Sequence, residues 1–168
     1  MKVILYMAIT DNGLIAKTND DTSFTSQAEW DSYSAMIRQA GNVVVGHRTY
    51  DILTKQPEFK DLKKVKIIVV SHHTFKLAEA NHLVAKSPRE ALAGLKDFLK
   101  VIVAGGSQIN TAFLAENLID EIYLDIEPIV LGRGIPLFAS NNYEKKLELI
   151  ETKNISDNEI QLHYRVVK

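Results

Sequence analysis

The chain has 168 residues, 46% of them hydrophobic and 24% charged, enough to bury a core within one domain of common size. Twenty Lys and Arg stand against 21 Asp and Glu, a net charge of -1, so no global field draws the protein to nucleic acid or an anionic membrane. The absence of Cys excludes a disulfide framework, a thiol nucleophile and thiolate zinc sites, and accords with a cytoplasmic setting; five scattered His form no metal-ligand spacing.

"MKVILYMAI" reads as a first buried strand rather than a leader, because its apolar run is short and no small-residue cleavage pattern follows. No segment approaches the roughly 20 apolar residues of a membrane span. Continuous apolar runs at 3–9, 42–46, 66–70 and 101–105 suit strands buried on both faces of a largely parallel sheet. Helical patterns at 26–40, 47–55, 87–97 and 107–118 alternate with them, as parallel crossovers require. The 26–40 helix opens on a capping-box pattern, Ser26 to Glu29, and the 87–97 helix on Ser87-Pro88. A short strand is expected at 82–85, and "KDLKKVK" (60–66) reads as a solvated loop. A further strand spans 121–128. Ile160, Leu162, Tyr164 and Val166 then alternate with Gln161, His163 and Arg165, a half-exposed strand closing an antiparallel hairpin. The expectation is one α/β domain over 1–168 with a mostly parallel central sheet.

In such sheets ligands bind outside the carboxyl ends of the strands. Gly105 and Gly106 lie at one such end, with Ser107 as the natural cap of the following helix. This is either an anion cradle of backbone N–H groups or a tight packing turn. At a second end, "GHRTYD" puts Gly46, His47, Arg48 and Thr49 where a phosphate could be gripped, unless Arg48 is only an exposed helix start. A third end carries Ser71, His72 and His73. The G-x-G-x-x-G fingerprint is absent, which argues against an ordinary Rossmann domain.

With these residues in view, the chain resembles the dihydrofolate reductase superfamily, and more closely the reductase domain of riboflavin biosynthesis, over essentially its whole length. "AITDNGLIA" (8–16), "VVVGHRTYD" (43–51) and "AGGSQINTAFLAENLIDEIYLDIEPIVLGRGIPLF" (104–138) carry the resemblance. It implies a three-layer α/β/α fold and an NADPH cofactor, with no metal. It would place Ala8, Ile15 and Ala16 beside the nicotinamide, and Gly105, Gly106, Ser107, Gln108 and Ile109 around the pyrophosphate. Gly46, His47, Arg48 and Thr49, with Ser71 and His72, would hold the adenosine phosphates. The implied reaction is hydride transfer to a small heterocyclic or ribosylamino substrate, of the 5-amino-6-(5-phosphoribosylamino)uracil reductase type. Lys17, Lys63 or Arg133 would be the counter-charge of a substrate phosphate. A homodimer is implied, through edge strands or near "GRGIPLF".

The departures bear on the substrate. No Met-Pro-Trp element precedes the first helix, Val65 stands where folate reductases carry an arginine, and Ala104 stands where many riboflavin enzymes carry Glu. No zinc deaminase motif is present. Folate reductase activity and a non-catalytic nucleotide-binding module are therefore the alternatives. The folate enzymes set a carboxylate four residues before an aromatic on the first helix, and Glu29 with Tyr33 repeats that spacing. On a helical wheel Glu29 lies about 40° from the centre of the Tyr33, Met36, Ile37, Ala40 stripe, with Asp31 nearly opposite. Glu29 is thus the expected catalytic acid, unless it serves only the capping box. Asp125 ranks below it, and Trp30 is expected in the core.

Overall fold

The computed structural model describes residues 1–168. In chain order its elements begin with β1 (Lys2–Thr10), β2 (Leu14–Ala16), α1 (Gln27–Ala40), β3 (Asn42–Gly46), α2 (His47–Leu53) and a 3-10 helix (Pro57–Leu62). There follow β4 (Lys66–Val70), β5 (Leu83–Ala85), α3 (Pro88–Ala93), β6 (Lys100–Val103) and α4 (Ser107–Ala115). The chain ends with β7 (Glu121–Glu127), β8 (Ile135–Pro136), β9 (Leu147–Asn154) and β10 (Ile160–Val166).

Eight strands form one sheet in the order β5-β4-β3-β6-β1-β7-β10-β9. The strands from β5 through β7 run parallel, and β10 and β9 close the other side antiparallel. β1 lies inside, so Val3 and Leu5 enter one apolar cluster while Ile4 and Tyr6 enter the other. This two-sided burial is why its sequence is a continuous apolar run instead of an alternation. α1, α2 and the 3-10 helix cover the Ile4 face, contributing Ile37, Tyr50, Leu53 and Leu62. α3 and α4 supply Ala91, Phe113 and Leu114 to the other face. Each fully buried Ile, Leu or Phe among them contributes about 1.5–3 kcal/mol.

Local chemistry sets the helix ends. Ser26 Oγ accepts from Glu29 N at 2.9 Å to start α1, and Gly41, at φ 72°, ends it by donating to Ile37 O at 2.8 Å. The helices after β3, β5 and β6 are shorter than their sequence patterns. α3 stops at Ala93 because Gly94 opens a series of tight turns, through which Leu95 still reaches the core. The 60–66 stretch is not a solvated loop: the 3-10 helix and the turn after it bury Leu62 and Val65, and Lys66 already starts β4. β10 is partly exposed, but not along the face its alternation suggests: Ile160 and Arg165 are the exposed residues. Gln161 is buried and His163 half-buried, because β9 and β7 flank the strand and α1 lies over that face, Gln161 Nε2 donating to Ser32 Oγ at 3.2 Å; β9 is the open edge, exposed along all eight residues. β2 and β8 pair as a separate two-stranded ribbon that the sequence pattern does not reveal.

Candidate active site

A cleft of about 910 Å³ opens where β1, β3, β4 and β6 end. Its first part is built from glycines and helix starts. Gly105, at φ 89°, is buried, and a Cβ there would sit 3.1 Å from the Met7 side chain. A Cβ on Gly106 would sit 3.2 Å from Thr49 Oγ1, and one on Gly46 would sit 2.9 Å from Ile109. A side chain at Gly46 would force Ile109 to shift, and one at Gly105 or Gly106 would need its neighbour to give by a few tenths of an ångström. The Gly105–Gly106 peptide bond is cis. Gly46 N donates to Gly105 O at 2.8 Å, tying the end of β3 to the turn after β6.

Two helices start at this junction, α2 after Gly46 and α4 after Gly106, and neither has a side-chain cap. Their first N–H groups and positive dipole ends therefore remain available to an anion. Ser107 Oγ lines the cleft, is buried and has no hydrogen-bond partner. A buried hydroxyl left unpaired beside a glycine turn is the surrounding that a pyrophosphate oxygen would satisfy. Gln108 and Ile109 line the same region, and Ala8, Ile15 and Ala16 form an apolar wall with Ile135 and Pro136 of the small ribbon. These residues fit a dinucleotide.

His47, Arg48 and Thr49 also line the cleft. His47 stacks on Phe75 with ring centroids 3.8 Å apart, and Arg48 Nε lies 3.3 Å from Asp20 Oδ2. The Arg48 side chain is 77% exposed, so it can swing toward an incoming phosphate. Ser71 and His72 stay outside the lining: the Ser71 hydroxyl is turned into its own loop, donating to His73 O at 3.1 Å, and His72 points to solvent-exposed surface beyond Val70.

The other part of the cleft is aromatic and acidic, lined by Tyr6, Glu29, Trp30 and Tyr33. Trp30 packs only partly against the core and forms wall instead of interior, with its ring 5.6 Å from Tyr33. Glu29 is 6% exposed and its carboxyl makes neither a hydrogen bond nor an ion pair. Its backbone N–H serves the Ser26 cap, but its carboxyl does not return the bond, because Ser26 N donates at 2.8 Å to Glu127. Burial first, then the neighbouring Asp125, Glu127 and Glu159, push the Glu29 carboxyl up to about 8. At neutral pH it carries a proton. Burial also raises the Glu127 carboxyl, against the Ser26 N–H; Glu159 ends below its ordinary value, because hydrogen bonds from Ser26, Ser156 and Glu127 outweigh its burial.

Beneath them lies a network absent from the sequence reading. Tyr6 donates to Asp125 at 2.5 Å, and Gln161 Nε2 donates to the other Asp125 oxygen at 2.7 Å and to Tyr6 Oη at 3.0 Å. Ser32 completes it, 2.6 Å from Tyr6 Oη. Burial raises the Asp125 carboxyl while these two donors oppose the rise. With both oxygens engaged and no share of the lining, Asp125 holds the floor, and of the two candidate acids only Glu29 faces the cleft. Lys17, Lys63 and Arg133 all lie outside the lining, and Lys17 is already paired at 2.6 Å with Asp21 of the lining, so none lines the cleft as a free counter-charge.

The profile of the RibD C-terminal domain family matches residues 1–161. The chain is 30% identical over 171 residues to the uncharacterized protein YwjB of Bacillus subtilis (strain 168), covering 97% of both chains. Its fold is similar to a pyrimidine reductase-like protein from Corynebacterium diphtheriae, with TM-score 0.78 and 14% identity over 99% of this chain and 92% of that one. It is also similar to dihydrofolate reductase from Enterococcus faecalis complexed with NADP(H), with TM-score 0.77 and 16% identity over 99% and 97% of the two chains.

Proposed function

The chain belongs to the RibD C-terminal domain family, and on that premise we propose that it is an NADPH-dependent reductase of a C=N bond in a small nitrogen heterocycle or ribosylamino-pyrimidine. One observation supports this reading above the others: a single cleft joins two uncapped helix starts and a glycine turn to a buried, protonated carboxyl. The first part suits a dinucleotide phosphate, the second a proton transfer.

Gly105, Gly106, Ser107 and Gln108 would hold the pyrophosphate, and Gly46, His47, Arg48 and Thr49 the adenosine phosphates. Ala8, Ile15, Ala16 and Ile109 would flank the nicotinamide and keep water from it. When bound, NADPH supplies the hydride. Glu29 gives a proton to the nitrogen of the reduced bond, and its pKa near 8 keeps that proton in place at working pH. The carboxylate is then reprotonated from solvent through the cleft mouth. A homodimer through the exposed β9 edge, with Leu147, Leu149 and Ile150 on it, and a cytoplasmic location complete the proposal.

The test is a fluorescence titration with NADPH and NADH, followed by NADPH oxidation with pyrimidine and pterin substrates. Tight, NADPH-selective binding with turnover supports the reductase. Binding without turnover across the panel would make the chain a nucleotide-binding module, and no binding would return the glycine turn to a packing role.

A further inference from the structure

Resting on the reductase reading, we propose that the substrate is a flat nitrogen heterocycle that bears neither phosphate nor carboxylate, and that the cleft selects against anionic forms of it. The charges along the cleft support this. Arg48 is the only Lys or Arg in the lining, and it sits at the α2 start, beside the dinucleotide cradle and already opposite Asp20. Four carboxyl groups line the same cleft: Asp20, Asp21, Glu29 and Glu58. Arg48 and Lys17 face the first two, whereas Glu29 and Glu58 have no cation within ion-pair distance.

The remainder of this region is aromatic, with Tyr6, Trp30 and Tyr33 as its walls. Such walls stack flat rings, and an unpaired carboxyl accepts ring N–H donors or, protonated, donates to a ring nitrogen. A phosphate placed there would be desolvated with no guanidinium or ammonium to receive it. It would also meet Glu58 of the lining and the buried Asp125 and Glu127 near Glu29. A neutral or cationic ring meets none of these penalties. The same charge pattern disfavours a substrate with a long anionic tail, because Gln56 and Glu58 also line the cleft and neither offers it a cation.

Trp30 is the only tryptophan in the chain and lines this region, so its fluorescence reports on ring binding directly. The experiment titrates 5-amino-6-ribosylaminouracil and its 5′-phosphate, separately, into the protein with and without saturating NADPH. The expected result is Trp30 quenching by the unphosphorylated compound at a concentration at least about tenfold lower. Raising the salt concentration should narrow the gap by screening the repulsion, and Glu58→Gln should narrow it without added salt. Equal or tighter binding of the phosphate, or no quenching by either compound, overturns the proposal. The reductase reading is judged separately, by the fluorescence of bound NADPH and its oxidation, so either idea can fail while the other stands.

Discussion

The backbone N–H of Ser26 donates to Glu127 at 2.8 Å, taking the bond that a reciprocal capping box would assign to Glu29. The exchange frees the Glu29 carboxyl from a structural duty and turns it toward the cleft. If Glu29 is the proton donor proposed above, its proton, held with a pKa of about 8, would limit activity from the alkaline side. The turnover of the wild-type protein should therefore fall as pH rises through about 8. Glu29→Gln should lower kcat by about 10²-fold or more and remove that limb, because an amide cannot give up a proton at these pH values. A pH-rate profile of both proteins checks this; an unchanged alkaline limb in the variant would assign the titration to another group.

The same carboxyl makes stability depend on pH with a defined sign. Its folded value of about 8 exceeds the ordinary 4.5, so the folded state binds this proton more tightly than the unfolded chain does. The resulting contribution is complete below pH 4.5 and lost as pH rises to about 8. The loss is at most about 1.4 kcal/mol per pH unit. Glu29→Gln should flatten this decline and be more stable than wild type above pH 8. Urea midpoints at several pH values between 5 and 9, roughly spanning the titration range, measure the difference.

Arg48 and Asp20 form an exposed pair at 3.3 Å at the α2 end of the cleft. A 2′-phosphate brings nearly two negative charges and would compete with Asp20 for the guanidinium. Arg48→Ala should weaken NADPH binding about tenfold or more and leave NADH nearly unchanged. Asp20→Asn should tighten NADPH, since it removes the competitor, and Asn tolerates the left-handed backbone at that position, φ 66°. Paired titrations with the two nucleotides decide both, and equal losses for NADPH and NADH in Arg48→Ala would show that Arg48 does not read the 2′-phosphate.

Asp125 offers the converse case. It sits below the cleft with Tyr6 and Gln161 on its two oxygens. Tyr6→Phe removes one donor from a buried carboxyl and should destabilise the fold by about 1–3 kcal/mol. The alkaline limb of the rate profile should persist, because Glu29 keeps its burial. A denaturation curve and a pH profile on the same variant separate these effects, and loss of the limb without loss of stability would move the acid role into this network.

The parallel strands are legible in the chain because burial on both faces writes itself as an unbroken apolar run, as in Val43 to Val45. The glycine pair and the Glu29–Tyr33 spacing are legible for a similar reason: each is local in sequence. The polar floor is not. Gln161 lies 155 residues from Tyr6 and sits in an alternating pattern that reads as a wet face, because no local signal announces that α1 covers it. Tyr6 is hidden among aliphatic neighbours. Trp30 has the composition of a core residue, and only the placement of α1 over the cleft makes it a wall. The ribbon of β2 and β8 has three and two residues, too few for any period to emerge.

The glycine turn can be tested apart from catalysis. A methyl group at Gly106 would stand 3.2 Å from Thr49 Oγ1, so Thr49 must yield by a few tenths of an ångström or the turn must open. Thr49 lies in the first turn of α2 and Gly106 caps α4, so either movement disturbs the junction of the two helix starts that converge on the proposed phosphate site. Gly106 has an ordinary negative φ of -77°, so Gly106→Ala carries no left-handed strain and should cost less than about 1 kcal/mol of stability. Its NADPH affinity should fall about tenfold. Gly132→Ala is the matched control: no atom lies within 4 Å of its Cβ, and both stability and affinity should stay at wild-type values. If Gly106→Ala binds NADPH as tightly as wild type, the close approach of the two helix starts serves packing alone, and the cradle must be sought at another part of the cleft.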